Sequence, residues 1–243
     1  GRGEGRHVVA RHEINRTALR EVARALRIGG DHRHAAVERL GDHAPERLVA
    51  RRTDEQVECL VEVLHVPAKA GEALYASFGD TARSPTGWVE FCAENPGDCR
   101  GGASQPRDIV MSQTAWRDLV RVNKWVNETI KPITDMDHWG VIEKWSLPTD
   151  GYGDCEDYVL LKRKMLIDAG WPREALLITV VRDKKGEGHA VLTVKSDKGE
   201  FVLDNQNESV LAWTDTGYRF VKRQSQSDPN VWVSLGDNRP AVA

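Results

Sequence analysis

Gly153-Asp154-Cys155-Glu156-Asp157 sits between a glycine-rich turn, Asp150-Gly151-Tyr152-Gly153, and an apolar run of helical period over residues 158–169. Asp154 is of the type that caps helix N-termini, and Asp157 follows three positions later. The stretch therefore predicts a helix start with Cys155 at or beside the first helical position. Gly170 stops that helix, and Pro172 lies just beyond. The free N–H groups and partial positive charge of a helix N-terminus stabilise a thiolate. Cys155 is thus a candidate nucleophile, and the question is what supplies its base and the group that orients the base.

Downstream the period changes. Residues 175–181, 189–194, 200–204, 218–224 and 231–235 are short β-branched or aromatic runs separated by Asp, Lys, Gly and Asn turns. Runs joined by tight turns pair antiparallel. With helices first and strands after, the fold class is α+β, an antiparallel sheet packed against the cysteine helix. His189 opens the second strand and Asp204 closes the third, with Ser196-Asp197-Lys198-Gly199 between them. An even-numbered loop pairs 195 with 200, so positions whose numbers sum to an odd value share a face. His189 and Asp204 satisfy that rule as opposite or diagonal neighbours, within reach of a carboxylate–imidazole hydrogen bond. Cysteine, histidine and aspartate so disposed are a nucleophile, its base and the base's orienter, and the Cys155 N–H is placed to join an oxyanion hole. Spacing alone leaves a bland alternative standing: a buried inert thiol, a satisfied strand histidine, and acidic residues that only complement a helix dipole.

Upstream, Ser112 caps a predicted helix over 112–130 whose apolar-dominated face carries Trp116, Leu119, Val120, Asn123, Val126 and Ile130. Residues 75–106 read as loop, with Trp88, Val89 and Phe91 docking on the core. Cys92 and Cys99 flank the Asn95-Pro96-Gly97 turn. That turn can bring them within disulfide range, and geometry leaves a disulfide and two free thiols equally open. Residues 1–74 contain none of the 16 aromatics and six of the eight histidines. This change of regime sets off 1–74 as an atypical, loosely packed or mobile segment, or one foreign to the native folded protein, from a domain at 75–243. Ala68-Lys69-Ala70 has the form of a signal-peptidase site, but the segment before it is a poor apolar core for a signal.

A net charge of −3 gives no basic excess of the kind nucleic-acid binding needs. The longest apolar runs are five or six residues, which excludes a membrane-spanning helix by this reading. The four cysteines lack the close spacing of a zinc site.

Gly-Asp-Cys-Glu-Asp-Tyr at 153–158, His-Ala-Val-Leu at 189–192 and Val-Leu-Asp-Asn at 202–205 resemble the bacterial transglutaminase-like cysteine proteinases. This is a papain-related family that includes a periplasmic protease releasing biofilm adhesins. The likeness runs over residues 84–235. It implies a transglutaminase-like core, Cys155, His189 and Asp204 as a triad, a protein substrate such as a surface adhesin, and a periplasmic location. It also implies calcium bound by acidic residues beside the cysteine, here Asp154 and Glu156 with Asp157 next to them, and a Cys92–Cys99 disulfide. Calcium has a physical rationale too, since three carboxylates oppose thiolate formation and a divalent cation offsets them. The expected function is cysteine endopeptidase. The alternatives are an acyl transferase with the same triad and a catalytically silent module that binds a partner protein.

Overall fold

The computed structural model describes residues 74–100 and 105–236. Among the described residues, four α-helices, α1 (Thr86–Glu94), α2 (Gln113–Thr129), α3 (Asp135–Trp139) and α4 (Cys155–Asp168), pack with nine strands numbered β1–β9. β1 (Ser77–Ala82) precedes α1, while β2 (Lys131–Pro132) and β3 (Tyr152–Gly153) bracket α3. After α4 come β4 (Leu176–Arg182), β5 (Gly188–Ser196), β6 (Gly199–Leu203), β7 (Leu211–Ala212), β8 (Arg219–Gln224) and β9 (Trp232–Gly236). The main sheet is antiparallel, in the order β1-β9-β8-β4-β5-β6-β7. Helices on an antiparallel sheet make this an α+β fold.

The five downstream strands form where period and turn chemistry place them. The β5–β6 hairpin has the register expected of an even-numbered loop, here the two residues Asp197-Lys198, pairing Lys195 with Glu200 and Ser196 with Gly199. Gly199 there has φ +112°, a value that side-chain-bearing residues rarely adopt. Alternation then gives the sheet two apolar faces. Leu192, Val194, Phe201 and Leu203 join the main core with Tyr158, Leu161, Met165 and Leu166 of α4. Val181, Val191, Val202, Tyr218 and Phe220 join a second cluster.

The reading of residues 75–106 as loop is corrected. They contain β1 and α1, and Trp88 and Phe91 are buried on one face of α1 rather than docked from a loop. β1 is mostly exposed and pairs only with β9, 159 residues away at Ser77 and Gly236, so no local apolar pattern announces it. Gly87 is required by packing, because a Cβ there would lie 2.2 Å from the Trp145 ring. Cys92 and Cys99 form a disulfide, with Cα atoms 5.5 Å apart. α2 begins as expected, its N-cap Ser112 Oγ accepting from Ala115 N. Leu74 O accepts from Glu200 N. The rest of segment 1–74 lies outside the described residues. Among the described residues no helix is long and apolar enough to cross a membrane.

Candidate active site

α4 starts at Cys155, and its end is held from below by the chain around it. β2 and β3 pair in parallel, Lys131 with Tyr152 and Pro132 with Gly153, which ties the glycine turn to the end of α2. Tyr158 donates its hydroxyl to Ile130 O over 2.6 Å. Gly153 is obligatory, since a Cβ would sit 2.6 Å from Asp157 Oδ2. Asp157 thereby tucks under the turn, where its Oδ1 accepts from Ser146 N at 2.7 Å.

Cys155 packs against the core cluster that includes Ala190 of β5, whose backbone N–H acts on the sulfur. Its S–H donates to Glu156 Oε2 at 2.9 Å. Burial first, and Glu156 after it, push the thiol well above its ordinary value, while the Ala190 N–H works the other way. The helix terminus therefore does not by itself produce a thiolate, contrary to the simplest reading of its position. A half-buried sulfur beside a carboxylate loses more by ionising than the terminus returns.

His189 and Asp204 meet at the end of β5. His189 Nε2 lies 2.8 Å from Asp204 Oδ1, with both residues buried. The pair sits on the face that carries Val191 and Val202, whereas Ala190 and Cys155 belong to the main core on the other face. Asp204 closes β6 at a turn gripped from α2. Asn123 Oδ1 accepts from Asp204 N at 3.1 Å, and Asn127 Nδ2 donates to Asp204 O at 2.8 Å. Burial works to raise the Asp204 carboxyl, yet hydrogen bonds from His189 and Tyr218 hold it below the usual carboxylate range. With Nε2 paired to Asp204, Nδ1 is the other imidazole nitrogen.

The acidic residues divide differently from the set named on sequence. One carboxylate oxygen each from Asp135, Asp154 and Asp157 lies within 4.8 Å of the others. Glu156 is outside this group, turned toward the Cys155 sulfur. Positions 154 and 157 are three apart and share a helix face, whereas 156 points elsewhere. Asp154 occupies the N-cap position but makes no side-chain cap, and its buried Oδ1 has no hydrogen-bond partner among the described residues. Burial, followed by the neighbouring carboxylates, raises Asp154, and burial pushes Asp157 up to about 8. Asp135 escaped the sequence reading because it lies 20 residues from Cys155, at the start of the short helix α3. Its side chain accepts from the backbone N–H of Lys144.

The family model of the bacterial transglutaminase-like cysteine proteinases matches residues 78–240. The chain belongs to this family. As a member it is a cysteine peptidase of papain-like, α+β architecture. Solved structures similar to the chain include EGTA-treated LapG of Legionella pneumophila, at 25% identity and a TM-score of 0.41, covering 49% of this chain and 70% of that one. Calcium-bound LapG of the same organism is similar at 23% identity and a TM-score of 0.42, over 51% and 73% of the two chains. Among curated proteins none matches the chain.

Proposed function

We propose that this family member is an endopeptidase that hydrolyses protein amide bonds through an acyl-thioester on Cys155. His189 serves as base and Asp204 as the group that orients it. The observation that carries this reading is the buried His189–Asp204 hydrogen bond, one residue along β5 from Ala190, against whose core cluster Cys155 packs. The thiol proton passes to His189 Nδ1, and the sulfur attacks the substrate carbonyl carbon. The Cys155 N–H at the helix start receives the oxyanion. His189 then gives its proton to the leaving amine, and water, deprotonated by the same nitrogen, releases the acyl group. Asp204 stays ionised throughout, holding the tautomer and stabilising imidazolium.

Asp135, Asp154 and Asp157 are the residues that would hold calcium. They supply only hard oxygen donors, and the unpartnered Asp154 Oδ1 is an atom whose burial a cation would compensate. Bound there, calcium would supply positive charge beside the thiol and offset the carboxylates that oppose its ionisation. The substrate in this reading is a cell-envelope protein such as a surface adhesin, cut in the periplasm, as the resemblance of the Cys155, His189 and Asp204 motifs to the family implies.

The test is proteolysis of the organism's own envelope fraction. The parent should release fragments that Cys155→Ala and His189→Ala do not, and combining the two changes should lower the rate no further. Asp204→Asn should keep a small residual rate with an unchanged melting temperature. Full activity in Cys155→Ala would end the proposal, and an inactive parent that captures an envelope protein intact would favour the silent binding module.

A further inference from the structure

The second carboxylate oxygen of Asp204 has a donor of its own. Tyr218 donates its hydroxyl to Asp204 Oδ2 over 2.6 Å. Its ring also stands edge-on to the His189 imidazole, with centroids 5.7 Å apart and planes at 83°. Oδ1 is taken by His189 Nε2 and by Gln206 N at 2.9 Å. Both oxygens of the carboxylate are therefore claimed, and two aromatic rings and one carboxylate form a closed buried unit.

Tyr218 is presented rigidly. Its N–H donates to Thr216 Oγ1, which itself donates to Trp213 O at 2.8 Å. Gly217 between them has φ +72°, a value at which a side chain would be strained. Burial, then the Asp204 contact and the charge of Asp183, push the phenol upward from its ordinary value, so the hydroxyl remains a donor.

Two donors on one carboxylate share its charge. Each bond to the ionised form makes the group a weaker base, and a weaker base grips its other donor less tightly. On the reading that His189 and Asp204 serve Cys155, we propose that Tyr218 is a positioning residue that sets how tightly Asp204 holds His189. It draws charge away from the imidazole side of the carboxylate and fixes the carboxylate plane. A base that must take a proton from sulfur and then surrender it to an amine works best when its orienter holds the ring without retaining the proton. Other charged groups around this unit belong to different elements. Lys162 on α4 and Asp204 attract each other electrostatically without a hydrogen bond, Asp183 acts on His189 from the β4–β5 turn, and Glu156 faces Cys155. Tyr218→Phe leaves all of them in place.

The experiment compares Tyr218→Phe with the full chain carrying 2,3-difluorotyrosine at position 218, whose more acidic phenol is a stronger donor. The readout is the proton resonance of His189 Nε2–H in protein labelled with 15N-histidine, assigned by its loss in His189→Ala. The phenylalanine variant should move that resonance downfield as Asp204 turns its full charge on the imidazole, and the fluorinated variant should move it upfield. Shifts of opposite sign cannot come from a loosened fold, which would move both the same way. A resonance unmoved in both variants, or moved in one direction by both, overturns the inference. Failure of the underlying triad reads differently: Cys155→Ala would then leave envelope proteolysis at the parent rate.

Discussion

Replacing Lys162 by methionine should stabilise the fold, and by more at low pH than at high. Lys162 lies on α4, fully buried, its Nζ without a hydrogen-bond partner among the described residues and 5.9 Å from the Tyr158 ring centroid. Burial lowers its pKa from 10.5 to about 7, against the opposing attraction of Asp204. The unfolded chain holds this proton up to about pH 10.5 and the folded chain only to about 7, so stability rises with pH between those values. Below about pH 7 the penalty is complete. The gap of about 3.5 pH units, at about 1.36 kcal/mol each, makes it roughly 5 kcal/mol. Methionine retains the length of the stem and its contacts while removing the charge. Urea unfolding followed by circular dichroism at pH 6, 8 and 9.5 gives the difference between variant and parent, in which other titrating groups cancel. A gain of at least about 2 kcal/mol at pH 6, shrinking steadily toward pH 9.5, is expected. A variant less stable than the parent at pH 6, or a gain that does not change with pH, would refute the reasoning.

Glu200→Gln should cost about 3–5 kcal/mol, because Arg223 Nη1 lies 2.6 Å from Glu200 Oε1 with both side chains buried and would be left with an unpaired charge; replacing both residues by methionine should recover most of that loss in the same denaturant assay. Calcium should raise the melting temperature and chelator lower it. Asp135→Asn or Asp154→Asn should abolish that response and Glu156→Gln should leave it, whereas equal effects of all three would dissolve the division of carboxylates described above. Because Asp154 and Asp157 are both raised, protons compete for the site, and calorimetry should find calcium affinity climbing from pH 6 to pH 9. Cys92→Ser with Cys99→Ser should lower stability by about 2–3 kcal/mol, as expected for opening a loop this short, and a melting temperature equal to the parent's would count against a structural role. A chain starting at residue 73 should melt with the parent, whereas a drop of several degrees would show that the earlier residues pack on the domain.

Much of the site could be read from local pattern. Cys155 at a helix start follows from the Gly-Asp-Cys-Glu-Asp turn and the helical period behind it, both short-range signals. His189 and Asp204 could be placed together because an even-numbered loop sets hairpin register, and register sets which side chains share a face. What the sequence by itself could not determine depends on contacts between distant segments. Strand β1 owes its existence to β9, and α1 buries Trp88 and Phe91 against elements that come later in the chain. Asp135 joins Asp154 and Asp157 only because β2, β3 and the Lys144 backbone fold α3 against the glycine turn. Glu156 and Asp157 are adjacent and chemically alike, yet one faces a sulfur and the other a carboxylate group, a choice made by helix phase and by the space that Gly153 leaves. Tyr218 is one aromatic among many in the sequence and becomes the partner of Asp204 when β8 inserts beside β4, an arrangement no hairpin rule specifies. Local pattern governs backbone geometry over a few residues, while the protonation and partners of buried groups depend on whatever the whole fold packs around them.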